Sequence, residues 1–319
     1  MKSGSTFVEN CGDTQVDVPF TILNLGSTLA AMTLPFFYHS LSAMIAFFFV
    51  YTVCGLGLTV GYHRLFAHRS FAVPKWLEHA IAICGYLAIQ RGPIFWVAMH
   101  RLHHLQVDVP YRDPHTPKEG LWHVHFGWIQ ARRRDVWDPQ IYRRLAPDLL
   151  NDPLYDWMDD EAHDYLAIIC LMIVSFALGG LLGAKFGGFD LHNALCFVVW
   201  VGLLNRVALL QAFGLINSVC HMLGTRPFRT WGADESTNNL FVAIIIFGEG
   251  WHNNHHAFPN SARQGLRWYQ PDIAWYVIWL LGKLRLARFI RVPSRELLSK
   301  RIRHPHETSL SDHSGTVNS

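Results

Sequence analysis

Residues 41–68 read LSAMIAFFFVYTVCGLGLTVGYHRLFAH. From Leu41 to Tyr62 no residue is charged, and only small polar side chains interrupt the apolar ones. At 1.5 Å per residue the run is long enough to cross a hydrocarbon core of about 30 Å. It lacks the polar stripe that a helix of a soluble bundle presents to water. Directly after it stand two histidines, His63 and His68.

Three further runs are apolar and of spanning length: 20–38, 165–186, which closes on Lys185, and 189–213, which holds Asp190 and Arg206. The first two spans are joined only by His39 and Ser40, the last two by Gly187-Gly188. The expected fold is therefore an all-α integral membrane protein of four transmembrane helices in two hairpins, the long polar segments forming a helical cap. Lys and Arg number twelve between Tyr62 and Asp164 and twelve after Phe213, whereas the links on the other side hold only Lys185. By the positive-inside rule both long segments and both termini are expected to be cytoplasmic. Arg206, inside the fourth span, is an intramembrane cation expected to face the protein interior and to pair with Asn205 or Gln211.

Composition agrees with a membrane class. Only 16% of the 319 residues are charged and half are apolar. A net charge of +3 does not suggest a nucleic-acid binder. Cys11, Cys54, Cys84, Cys170, Cys196 and Cys220 are scattered without CxxC spacing and read as reduced thiols. The chain divides into a polar N-terminal tail (1–19), one domain (20–290) and a polar C-terminal tail (291–319) expected to be disordered at its end. Pro271 to Ile290 has the composition of an interfacial amphipathic helix, and Leu240 to Phe247 is apolar but too short to cross.

Histidines recur on the same side as His63 and His68. His100, His103 and His104 (HRLHH) follow, then His221 in NSVCH, then His252, His255 and His256 in GEGWHNNHHAFP. In each HxxHH triplet the i, i+3 and i+4 positions share a helix face. His63 and His68, five apart, fall about 140° apart on an α-helix and can share a metal only if that helix ends or bends between them. Neutral imidazole is a common ligand for iron, copper, zinc and nickel, and nine rings exceed what one ion takes. Two ions with four or five imidazoles each, and open positions for water or dioxygen, are the natural division. Asn217, one helical turn before His221, is placed to hold a water ligand through its amide. Glu249, Asp108, Asp113, Asp234 and Glu235 are candidates to accept the remaining imidazole N–H groups. Placement beside a membrane, without an evident nucleophile, favours redox chemistry on an apolar substrate. A metal transporter would instead need ionisable residues within several spans. Trp96, Trp122, Trp128 and Trp231 are candidate walls of an apolar tunnel.

GYHRLFAHRSF (61–71), GPIFWVAMHRLHH (92–104), DPH (113–115), NSVCHMLGTRPF (217–228) and GEGWHNNHHAFP (248–259) together resemble the membrane-bound fatty acyl desaturases of the acyl-CoA and acyl-lipid group. The resemblance covers Phe20 to about Ala287. It implies a di-iron centre with His63, His68, His100, His104 and His255 on one iron. His103, His221, His252 and His256 would hold the other, with Asn217 through water. It further implies a cis double bond, by best analogy at Δ9, made in a saturated acyl chain with dioxygen and two external electrons. The same scaffold in related enzymes also supports hydroxylation or ketolation. No HPGG haem motif is present, so electrons are expected from a separate ferredoxin or small cytochrome with its reductase. Animal acyl-CoA enzymes typically read HNYHH where this chain has Asn254, and SARQGLRWYQPDIAW (261–275) looks like the bacterial, cyanobacterial and plant branch. The acyl carrier is accordingly either CoA or a glycerolipid, and zinc in place of iron would suit the same imidazoles in a purified sample.

Overall fold

The computed structural model of the protein describes residues 14–133, 137–184 and 188–303. Four helices are long and apolar enough to cross a membrane: Val18–Phe36, Leu41–Ala67, Glu161–Gly183 and Leu191–Val219. Each starts where a side chain caps an otherwise orphaned amide. Asp17 accepts from Phe20, Ser40 from Ala43, Asp160 from Ala162 and Asp190 from Asn193. The first and third helices expose Ile22, Leu29, Met32, Ile169, Ile173 and Leu181, the surface a hydrocarbon solvent requires.

The second and fourth helices run past the ends that hydropathy predicts, Tyr62 and Phe213, to Ala67 and Val219. Their added turns carry His63, Arg64 and Ser218, all buried. A polar helix continues here because its side chains find partners in the protein interior. Both helices also contain a π-helical stretch, Gly57–Ala67 and Val198–Leu204. The segments between the second and third spans and after the fourth fold into short helices, among them Lys75–Tyr86, Pro93–Gln106, Leu240–Ile245 and His252–Ala257. Their buried faces join Leu58, Ala82, Ile94, Val97, Leu209 and Ile278 in one core. Gly57 meets Gly85 backbone to backbone, and a Cβ on Gly57 would lie 2.2 Å from the Gly85 nitrogen.

Several expectations are corrected. The described fold is helical except for an antiparallel ribbon pairing Thr14–Val16 with Ala131–Arg133, so the end of the expected N-terminal tail is a strand. Strands this short carry no readable alternation. The first part of the polar C-terminal segment forms an Arg295–Lys300 helix and a bridge from Phe228 to Ile302, which leaves the expectation for its end untouched, since residues 304–319 lie outside the described part. Arg206 pairs with neither Asn205 nor Gln211. Its guanidinium donates to Asn24 Oδ1 and, at 3.0 Å, to Ser27 Oγ of the first span. Asn205 points about 100° away along the helix, and Gln211 is engaged by His125 at 2.9 Å. Cys54, Cys84, Cys170, Cys196 and Cys220 are free thiols, and Cys11 lies outside the described residues. The amphipathic segment forms the helix Ile273–Lys283.

Candidate metal centre

The π-helical stretch places the first two histidines. The His68 amide donates to the His63 carbonyl, an i→i+5 bond of 3.1 Å. The wider turn brings positions five apart onto one face, and the two rings stand 4.9 Å apart. The Pro93–Gln106 helix, opened by a proline at its first position, supplies His100, His103 and His104. It ends at Val107, and Asp108 then adopts φ 56°. Asp tolerates this left-handed conformation, and the turn folds Asp108 and Asp113 back toward the helix. His252–Ala257 supplies the last triplet.

These elements gather the nine imidazoles into two groups. His63, His68, His100, His104 and His255 form one; His103, His221, His252 and His256 form the other, the ligand atoms of each lying within 4.8 Å of one another. In the first, His68 and His100 approach Nε2 to Nε2 at 2.7 Å, and His255 Nε2 lies 3.1 Å from His63 and 2.9 Å from His104. In the second, His252 Nε2 lies 3.0 Å from both His221 and His256.

Carboxylates fix which nitrogen points inward. The Nδ1–H of His63 faces Glu249 at 2.5 Å, His103 faces Asp113 at 2.9 Å, His221 faces Asp108 at 3.0 Å and His256 faces Asp234 at 2.9 Å. Four of the five expected carboxylates therefore hold an imidazole. Glu235 does not: its carboxylate pairs with Lys118 at 2.7 Å, and only its backbone amide reaches Asp108.

With Nδ1 of each ring turned to a carboxylate, His103 and His256 bring their Nε2 atoms within 3.4 Å of each other. Burial, reinforced by neighbouring imidazoles, pushes His68, His100, His104, His252 and His255 well below the usual histidine range, so they offer lone pairs at neutral pH. Burial brings His256 down to about 4. Burial alone would raise Asp113 and Asp234, but the facing His103 and His256 hold both carboxyls below the usual range. Convergent, desolvated lone pairs repel unless a cation lies among them. The donor set fits a metal centre, and an all-nitrogen set suits iron, copper, zinc and nickel alike.

A cavity runs from this centre along the fourth span. His63, His100, His103 and His252 line one end, followed by Trp96, Met99, Asn217, Gly214, Phe213 and Leu210. Asn217 thus stands at the cavity beside the second group. Trp96 stacks on His100 at 5.3 Å, and Trp128 packs on His115. Two expected tunnel residues lie elsewhere. Trp122 is exposed and packs on Phe126, and Trp231 is 70% exposed under the Arg301 guanidinium in a separate groove.

Sequence reasoning missed the support behind Glu249. Arg64 donates to Glu249 and also pairs with Asp272, and Gln264 donates to the other Glu249 oxygen at 3.1 Å. Arg64 directly follows His63 at the end of a span, and a cation there was the available signal. Asn254 is explained here as well. It accepts from Asn238 and donates to Gln264 O and Gln270 Oε1, which ties the last histidine triplet to the 261–275 segment.

Comparison with known proteins places this geometry. The chain is 38% identical over 263 residues to the sn-2 palmitoyl-lipid 9-desaturase of Nostoc sp. (strain 36), covering 79% of this chain and 86% of that protein. It is 42% identical over 259 residues to Delta-9 acyl-lipid desaturase 2 of Arabidopsis thaliana, covering 81% and 78%. It is 40% identical over 250 residues to the Acyl-CoA C20 Delta5-desaturase of Anemone leveillei, covering 77% and 73%. The fatty acid desaturase profile matches residues 39–292, which takes in all nine clustered histidines and the carboxylates behind them, and the chain belongs to that family.

Proposed function

We propose that the protein introduces a cis double bond, at Δ9, into a saturated acyl chain. The observation that carries this reading is the junction of two imidazole groups with an apolar cavity. Two irons are the metals the family implies. His63, His68, His100, His104 and His255 would hold one, and His103, His221, His252 and His256 the other, with Asn217 through water. When bound, the metals supply the dioxygen chemistry that removes two hydrogens from adjacent methylenes, the electrons coming from a separate donor protein such as a ferredoxin or a small cytochrome.

The chain's own residues do the rest. Glu249, Asp108, Asp113 and Asp234 fix the tautomer of the imidazoles behind which they stand. Trp96, Met99, Leu210 and Phe213 hold an unactivated methylene chain in register, since a chain without polar groups is positioned only by shape. Their packing also keeps water from the reacting carbons. We place the domain at 20–290, the four spans as two hairpins, and the metal centre and both termini on the cytoplasmic side, supported by the asymmetry of Lys and Arg.

The test is expression in a host lacking unsaturated fatty acids, with palmitate and stearate supplied, followed by location of any new double bond in lipid and CoA pools. A Δ9 cis bond that disappears in His103→Ala and His256→Ala is expected. Retained desaturation in those variants would sink the ligand assignment, and oxygen in the product would redirect the reading to hydroxylation.

A further inference from the structure

Trp231 does not wall the acyl cavity, and its surroundings give it another use. It stands 70% exposed at a groove open to solvent, whose apolar lining includes Phe258, Val292, Pro293 and Leu297. Arg291 and Arg301 border it, and no carboxylate is among the described residues that form it. An apolar patch edged by charge, with Trp and Arg at hand, is the composition of a protein-docking surface.

Charge fixes the sign of the partner. Residues 285–303, which supply one side of the groove, carry seven Lys and Arg against one carboxylate, Glu296, and that is paired with Lys300. Arg291 is held by its backbone, its amide donating to Ser70 O and its carbonyl accepting from the Ala262 amide, both at 2.8 Å. Its side chain is exposed and, among the described residues, forms no ion pair. A fixed arginine without a counter-charge attracts an acidic surface.

What lies beneath decides which acidic partner. His103, His221, His252 and His256 are all buried, so an electron carrier cannot touch the second metal group directly. The groove comes within a few bonds of it. Arg301 lies 4.8 Å over the Trp231 ring and donates to the carbonyl of Ala257, the residue after His256. The Asp234 amide donates to the Trp231 carbonyl at 3.3 Å, and the Asp234 carboxylate accepts from His256 Nδ1 at 2.9 Å. Two bonded routes thus lead from one exposed indole to one metal ligand. A bilayer surface also suits Trp and Arg, but it gives no reason for the groove to back onto a ligand.

We propose that this groove docks a small acidic one-electron carrier protein, with Trp231 and Arg301 where the electron enters. This rests on the desaturase reading and gives its electron donor a place. At each encounter the reduced carrier is oxidised and the metal centre is reduced by one electron. No bond forms or breaks in that step, and two encounters supply the two electrons of one double bond.

The full-length protein, in nanodiscs of neutral phosphatidylcholine and first without metal, is titrated with two acidic probes, a [2Fe–2S] ferredoxin and a soluble b-type cytochrome. A basic c-type cytochrome is the control of opposite charge. At least one acidic probe is expected to bind, more weakly as salt is raised, and the basic one is not. Arg291→Glu is expected to weaken binding about tenfold and Trp231→Ala about thirtyfold, as for a rim charge and an aromatic anchor. Both side chains are exposed, so neither change disturbs the core. Lys283→Glu, the same charge change on the Ile273–Lys283 helix, is expected to have no effect. With metal bound, oxidation of the reduced carrier should slow in the same order, whereas reduction by dithionite, which needs no docking, should be equal in all variants.

No binding by either acidic probe, equal binding of the basic one, or wild-type affinity in both Arg291→Glu and Trp231→Ala overturns the site. So does quenching by brominated lipid of the emission that Trp231→Phe removes, which would put a bilayer in the groove. Docking and carrier oxidation intact in a protein that makes no double bond leave the site standing and defeat the desaturase reading. Double bonds formed with either carrier at the wild-type rate by Arg291→Glu and Trp231→Ala defeat the site alone.

Discussion

The amide of His68 reaches back five residues, not four, to the carbonyl of His63 at 3.1 Å. That single π-type bond lets two histidines that an α-helix would hold apart face the same three partners, His100, His104 and His255. The second span is thereby both a membrane crossing and the wall of the metal centre.

The π-helical stretch begins where Gly57 touches Gly85, which makes the contact a sensitive point. Gly57→Ala forces the Lys75–Tyr86 helix away and is expected to cost about 1–3 kcal/mol by overpacking. Gly26→Ala, with open space around its Cβ position, is the control. Thermal unfolding in detergent compares the two, and an equal midpoint for both would refute the close approach.

The carboxylates behind the imidazoles are expected to govern metal affinity. Asp113→Asn and Glu249→Gln should each lower it by about 10–100-fold, the usual effect of losing the partner that orients a histidine ligand. Glu235→Gln, whose carboxylate pairs with Lys118, should leave it unchanged. Chelator competition measures all three, and a loss in Glu235→Gln matching that in Asp113→Asn would contradict the assignment.

Metal removal should destabilise the fold, because the convergent lone pairs then repel inside a desolvated site. A metal present at a hundred times its dissociation constant adds about 2.7 kcal/mol to a protein that binds it only when folded. Melting temperature is expected to rise on adding ferrous iron or zinc to the metal-free protein, and His252→Ala to blunt the rise. A melting temperature indifferent to either metal would count against the centre.

Asp152 provides an acid-sensitive link away from the metals. Burial would raise its carboxyl, but hydrogen bonds from His79 and Lys75 and from the Leu154 amide bring it down to about 2. Since the folded value lies below the unfolded one, the stabilisation is present above pH ~4 and is lost as pH falls through about 2. Asp152→Asn should flatten the stability profile over that window; an unchanged acid limb would show that the carboxylate contributes nothing there.

The membrane class and the site were legible in the chain for one reason: both write local, periodic signals. Four apolar runs are each long enough to span a bilayer, and HRLHH and HNNHH put their histidines on one helix face whatever lies around them. The span ends were less legible, because His63, Arg64 and Ser218 look like the close of a helix by hydropathy when in fact they continue it into a buried polar interior.

By itself, then, the sequence determined a four-span helical protein with nine imidazoles clustered along the chain, since hydrophobicity and ligand spacing are properties of short segments. Tertiary structure alone decided that Asp108 and Asp113 return to meet His221 and His103, that Glu249 rather than Glu235 backs a histidine, and that Arg206 turns to Asn24 across 182 residues. Those pairings depend on which surfaces meet when the helices pack. A charge or an amide carries no mark of its distant partner until burial forces it to find one.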